Sequence, residues 1–242
     1  VETLYEFKVD TKDVLRINKN TMLSFVKLDE GERTFSFYRN NTADNYLPNI
    51  DQLDFSDKIF HFGSVCLNNK RNIDNHLAMI EKYKNNNSLI SFDPNLRFNL
   101  FNNKAKLRRV VNQLLKYTDI LKISEEELIF ITNTKKENEG INKLINEGIN
   151  YIFLTRGSNG ASLYTKDFRI HHQGYQVETI DTTGAGDAFV GVILHYININ
   201  ENKIKQKDWY EIIDKACLIA AETTKYNGAM DSYKNAINNI WW

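Results

Sequence analysis

The chain has 242 residues, enough for one α/β domain with a substantial core. Hydrophobic residues make up 42% and charged residues 26%, as in an ordinary soluble globular protein. Lys plus Arg and Asp plus Glu both number 31, and this zero balance removes the electrostatic footprint of a nucleic-acid binder or a membrane-surface protein.

Along the chain, Val1–Asp10 comes first, opens without Met and reads as the middle of something longer, so a preceding segment is expected. Thr21–Leu28 and Thr34–Tyr38 are β-rich runs joined by Asp29-Glu30-Gly31-Glu32, a hairpin-like connection. They predict a small sheet projecting from the main domain, or an ordinary edge hairpin, and divide the chain into a hairpin segment at 1–45 and an α/β domain at 46–242. Strand and helix then alternate. Ile59–Phe62 is an apolar run, followed by a helical pattern with Ile73, Leu77 and Ile80 on one face. Leu89–Phe92 is the next run and stops at Asp93-Pro94, a turn signal. Leu107, Val110, Val111, Leu114 and Leu115 form an amphipathic helical stripe. Asp119–Ile123 and Tyr151–Thr155 are further strands, with helices expected around Glu125–Ile131 and Glu139–Ile145. Ala161–Thr165 and Arg169–Val177 read as strands, and Gly184–Ile197, Trp209–Lys225 and Ser232–Ile240 as helices. This order implies βαβ units and a largely parallel sheet.

No apolar stretch approaches the length of a membrane span, and no signal peptide is visible. Cys66 and Cys217 fit neither a disulfide framework nor a zinc spacing and point to a reducing, cytoplasmic setting. The five histidines show no ligand spacing.

The chemistry concentrates at Asp181-Thr182-Thr183-Gly184-Ala185-Gly186-Asp187, which runs into an apolar helix. Small residues at a helix start leave backbone N–H groups outward and unpaired, and the helix dipole favours an anion there. Asp187 in the same turn would repel that anion unless its carboxylate is aimed past it, toward a hydroxyl to be deprotonated. An anion hole at Gly184, Ala185 and Gly186 beside a carboxylate base is what phosphoryl transfer to an alcohol requires. A dinucleotide fingerprint is a poor alternative, since the third glycine is missing and the segment lies late in the chain. A Walker A loop fails because the sequence contains no Gly-Lys pair. A capped helix, with Asp187 as a dipole-stabilising acid, is the plain structural alternative.

Asp181–Asp187 resembles the C-terminal signature of the ribokinase-like (PfkB) carbohydrate kinases, in which the last Asp is the base and the Gly-Ala-Gly backbone the anion hole. Five further segments resemble that family in its order. Thr155-Arg156-Gly157-Ser158-Asn159-Gly160 is similar to its Thr-x-Gly-x-x-Gly nucleotide loop. Lys122-Ile123-Ser124-Glu125-Glu126-Glu127 is similar to its Asn-x-x-Glu element, with Ser124 in place of Asn and Glu127 where a Glu organises magnesium through water. Asp93-Pro94-Asn95-Leu96-Arg97 resembles a substrate segment of fructokinases and 2-keto-3-deoxygluconate kinases, which implies substrate roles for Asn95 and Arg97. Gly31-Glu32-Arg33 through Arg39 to Asp44 resembles the lid of the same subgroup, with Arg39 a further substrate candidate. Gly228-Ala229 matches the loop bordering the adenine pocket. Each has a plainer alternative: Glu127 as a solvated member of a charge run, Arg97 as a surface ion-pair residue, Gly157 and Gly160 as turn formers.

The resemblance implies a three-layer α/β/α fold with a mainly parallel sheet and a small β lid. It implies ATP and Mg²⁺ as cofactors, and K⁺ held by backbone carbonyls at Asp181 and Thr183. It implies a sugar substrate, fructose first, with 2-keto-3-deoxygluconate or ribose as alternatives, and a homodimer formed through the lid. The family's sugar-binding Asp and Gly-Gly-x-x-Asn motif do not occur upstream of Thr21. Part of the sugar cradle and some central strands are therefore expected to be missing, and the polypeptide alone to be poorly stable. A non-catalytic nucleotide-binding relative and an NAD-dependent oxidoreductase are the readings from other classes.

Overall fold

A computed structural model describes residues 2–29, 32–47, 49–101, 103–200 and 203–239. The chain divides into two compact units, Val1–Tyr117 and Thr118–Trp242.

In the first unit a short helix α1 (Glu2–Glu6) precedes β1 (Leu23–Asp29) and β2 (Glu32–Tyr38). These two strands form a sheet of their own, antiparallel, in a register running from Leu23↔Tyr38 to Asp29↔Glu32. The intervening Glu30-Gly31 lies outside the described residues. β3 (Ile59–Gly63) and β4 (Leu89–Asp93) pair in parallel, linked by α2 (Lys70–Asn85). The side chain of Asn69 caps α2 by accepting from the Asn72 N–H at 2.9 Å. Ile73 and Ile80 are buried on its inner face, and Leu77 is half-buried. Phe62 and Phe92 stack across the two strands with centroids 4.5 Å apart, giving this unit an aromatic core. Helix α3 (Lys104–Leu115) buries all five residues of its predicted stripe, each contributing roughly 1.5–3 kcal/mol of burial.

In the second unit β5 (Ile120–Ser124) and β6 (Tyr151–Thr155) are parallel. They are joined through α4 (Glu125–Thr132) and α5 (Glu137–Asn146). β7 (Ala161–Tyr164) and β8 (Arg169–His172) then add antiparallel, one after the other. Helices α6 (Ala185–Ile199), α7 (Trp209–Thr223) and α8 (Ala229–Asn239) complete the unit. Trp209 is 1% exposed, with its ring 5.1 Å from Tyr151 and 5.8 Å from Phe153. Strand and helix alternate as the sequence predicts, and the α/β class holds.

Several boundaries moved by one or two residues, and three changes stand out. The predicted strand Arg169–Val177 ends at His172, because Gly174 turns to φ +78° and its backbone packs on Gly160 instead of continuing the ladder. Helix α7 stops at Thr223, and the chain leaves it through the short bonds Thr224 N–H to Ala221 O and Lys225 N–H to Glu222 O. Helix α8 begins three residues before the predicted Ser232, and the predicted last residue, Ile240, lies outside the described residues.

Candidate active site

The start of α6 is built around Gly184, the N-cap, in the left-handed conformation at φ +85° and ψ −8°. That geometry turns the chain sharply from the Asp181–Thr183 loop into the helix. The Ala188 N–H donates to the Gly184 carbonyl at 2.8 Å and closes the first helical turn. Of the expected anion-hole amides, Ala185 N–H closes a bent 3.3 Å turn onto Thr182 O. The N–H groups of Gly186 and Asp187 have no intrahelical acceptor, because the residues four positions back precede the helix. Asp187 is the third helical residue, and its side chain is exposed.

Directly behind this turn lies Lys122, a residue of the Asn-x-x-Glu-like segment to which the motif assigns no role. Lys122, on β5, is only 8% exposed, and a Cβ built on Gly186 would lie 2.9 Å from its Nζ. Glycine at 186 therefore keeps room for an ammonium group. Two positive sources meet there, the buried Lys122 cation and the N-terminal end of the α6 dipole, and together they favour an anion. The available signal was a lone charge within the run Ile120–Ile123, whose residues are otherwise apolar and all buried.

The Ser124–Glu127 element is a capping box at the start of α4. The Ser124 N–H donates to Glu127 Oε2 at 2.8 Å, and the Glu127 N–H donates to Ser124 Oγ at 3.3 Å. Glu127 is 7% exposed, so it is not a solvated member of the charge run.

Thr155–Gly160 turns β6 into β7. Arg156 N–H donates to Gly160 O at 2.8 Å, and Gly160 N–H to Gly157 O at 3.0 Å. Gly157, at φ +56°, has open space where a side chain would project. Gly160, at φ +80°, has none, since a Cβ would overlap the His172 carbonyl and the Gly174 amide. The Arg156 side chain anchors the turn by donating to Ser162 Oγ at 2.9 Å and pairing with Glu137 at 2.7 Å. The plain turn-forming role of these glycines and their place beside a cleft coexist.

Asp181 ties the motif to the loop after α7. Its Oδ1 accepts from the Thr183 N–H at 2.8 Å and its Oδ2 from the Gly228 N–H at 3.0 Å. Gly228 has φ +73°. Sequence alone did not anticipate this carboxylate clamp.

A cleft of about 220 Å³ within the second unit brings together the Thr155–Gly160 turn and the start of α6, while Lys122, Ser124, Glu127, Asp181, Asp187 and Gly228 are not among its lining residues. Thr155, Gly157 and Gly160 bound it on one side, Ala185 and Gly186 on another, and Val177, Cys217 and Ala220 supply apolar wall. Burial, with the nearby Asp214 charge, pushes the Cys217 thiol up to about 12, so that wall stays neutral. Tyr175 also lines the cleft and is braced by its hydroxyl, which donates to Asp214 Oδ1 at 2.5 Å. That hydrogen bond, with burial, raises the Tyr175 phenol to about 12. His172 Nδ1 accepts from the Gly174 N–H, which leaves Nε2–H to donate to Asp214 at 3.0 Å. His172 is thus a structural residue, as expected of the histidines.

The substrate candidates belong to the first unit. Asn95 takes φ +42°, and Arg97 is exposed at the start of the short 3₁₀ turn Phe98–Leu100. The Arg39 side chain is 8% exposed and ion-paired with Asp44. Its two terminal nitrogens are buried and have no N or O hydrogen-bond acceptor among the described residues. Among the described residues, no group of three or more His, Cys, Asp or Glu side chains could hold a metal ion on its own, and no helix is long and apolar enough to cross a membrane.

A helix start with two amides that lack an intrahelical acceptor, a carboxylate in the same turn and an apolar cleft running to a second glycine turn are the features a phosphoryl-transfer site requires. Residues 2–236 match the model of the pfkB family carbohydrate kinases, and the chain belongs to that family, phosphotransferases with an alcohol group as acceptor. It is 35% identical over 226 residues to fructokinase-2 of Solanum lycopersicum, covering 89% of this chain and 68% of the relative. The chain spans between 56% and 68% of the lengths of the first curated relatives it matches. A double-mutant fructokinase from Vibrio cholerae O395, solved with fructose, ADP and potassium ion, superposes with a TM-score of 0.87 at 30% identity. That match covers 96% of this chain and 76% of the other. Fructokinase from Xylella fastidiosa with bound ATP gives 0.85 at 25% identity, over 98% and 79% of the two chains. The fold is the ribokinase-like α/β fold carrying a small two-stranded sheet.

Proposed function

We propose that this chain forms the nucleotide-binding and catalytic part of an ATP-dependent sugar kinase whose acceptor is fructose. The observation that carries the proposal is the single cleft bounded by both the Thr155–Gly160 turn and the Ala185–Gly186 helix start. A nucleotide whose base lies against Val177 and Ala220 would direct its phosphates toward the open amides and the Lys122 cation. Asp187 accepts the proton of the sugar hydroxyl. The freed oxygen bonds to the γ-phosphorus, the bond from that phosphorus to the bridging oxygen breaks, and ADP departs. The Gly186 and Asp187 amides and Lys122 hold the charge on the transferred group.

Mg²⁺ suits oxygen donors, and the buried Glu127 carboxylate is the group that would hold it through water, where it would neutralise phosphate charge. K⁺ would take backbone carbonyls at Asp181 and Thr183, a choice consistent with the Asp181 carboxylate being engaged by two amides. Asn95 and Arg97 are assigned to the sugar, and the two terminal nitrogens of Arg39 are suited to an oxygen-rich ligand. Residues 1–45 would act as lid, and exposed Leu23, Phe25 and Tyr38 on it suit pairing with a second copy. The fructose assignment rests on the likeness to fructokinases and on the Asp93–Arg97 wording.

The test is ADP release with ATP and Mg²⁺, scanned over fructose, 2-keto-3-deoxygluconate, ribose and adenosine. Turnover with fructose preferred supports the proposal. Turnover with another sugar keeps the kinase and moves the specificity, and ATP binding without any turnover in the full-length protein would favour a non-catalytic nucleotide binder.

A further inference from the structure

Opposite the cleft, the anion-hole turn is touched by a residue that no motif includes. Tyr233, in the second turn of α8, donates its hydroxyl to the Gly184 carbonyl at 3.1 Å. The same hydroxyl occupies the space beside the Gly184 Cα, where a Cβ would come within 2.5 Å of it and 2.9 Å of Ala229 Cβ. The Gly184 carbonyl and the Ala185 N–H belong to one peptide unit. A donor on that oxygen therefore fixes the plane of the unit and polarises its N–H, as linked hydrogen bonds do. Gly184 already sits at φ +85°, a conformation that the surroundings must maintain.

We propose that Tyr233 is a positioning residue of the anion hole, holding the Gly184–Ala185 peptide so that the first turn of α6 presents its amides to the transferred phosphoryl group. The inference rests on the kinase reading of the same site. Burial and the Asp187 charge push the Tyr233 phenol up to about 12, so it remains a donor throughout the working pH range. The residue touches no reacting atom, and its contribution runs through Gly184.

The experiment compares Tyr233→Phe and Tyr233→Leu with the parent chain. Sugar phosphorylation is measured together with binding of ADP alone and of ADP with fluoroaluminate, a planar stand-in for the phosphoryl group in transfer. The expected result for Tyr233→Phe is a fall in kcat of about 3- to 10-fold, the usual effect of one lost hydrogen bond. The fluoroaluminate complex should weaken by the same factor, with KM and ADP affinity unchanged. Wild-type-like Tyr233→Phe with a defective Tyr233→Leu would mean that the ring only packs, and would overturn the proposal while leaving the kinase intact. Equal losses in ADP and fluoroaluminate binding would overturn it in the same way. The comparison is made in the full-length protein, and a parent of that length that binds ATP but turns over no sugar would sink the kinase reading, and the positioning role with it.

Discussion

Two glycine turns border one cleft and use their glycines in opposite ways. In Arg156–Gly160 the backbone is turned on itself, amide to carbonyl, and Gly160 is glycine because the His172 and Gly174 backbones leave no room for a side chain. At Thr182–Asp187 the backbone is left partly open, and a Cβ at Gly186 would meet only the tip of a side chain, the Lys122 ammonium, at 2.9 Å. The first turn is shaped by packing and the second by electrostatics. Glycine content alone does not distinguish a wall from a charge-binding site; what stands behind each Cα does.

The largest way to test that contrast is Asp187→Asn, which keeps size and removes the proposed base. It should lower kcat by about 10²- to 10⁴-fold with thermal stability unchanged, measured by ADP release and calorimetry. Lys122→Met should follow, with kcat reduced by about 10²-fold, the typical loss for one preorganised charge-stabilising donor. The gain in melting temperature on adding ATP should shrink. A variant that keeps the full ATP-induced gain would show that Lys122 does not serve the anion.

On the packing side, Gly160→Ala forces backbone to move and should cost about 3 kcal/mol, lowering Tm by roughly 6–12 °C for a chain of this size. Gly157→Ala meets open space and adds only left-handed backbone strain, about 1 kcal/mol or roughly 2–4 °C. Equal effects at the two glycines would break the distinction within that turn. A larger loss of ATP affinity than of stability at Gly157 would sharpen it, placing nucleotide in the open space.

Strand and helix identities were legible because their patterns are local: the α3 stripe and the runs at β4, β5 and β6 are hydrophobic periods that burial then satisfied. Where β8 ends was not legible, because it depends on Gly174 meeting Gly160 fourteen residues away. The same holds for the site. Asp187, the Gly-Ala-Gly run and the Thr155–Gly160 turn are contiguous wording. Lys122 behind Gly186, the Asp181 clamp on Gly228 and Tyr233 on Gly184 join residues 47 to 64 positions apart, and no local pattern announces them.

The sequence by itself determined the α/β class, the helix whose first turn carries the acid, and the family. Each rests on periodicity, capping chemistry or a run of adjacent residues. Tertiary structure alone decided which of the motif's donors remain open, which cation stands behind them and what holds the turn in its left-handed start. Those are contacts between distant segments, fixed when the chain buries its apolar faces and a buried charge or carbonyl must find a partner.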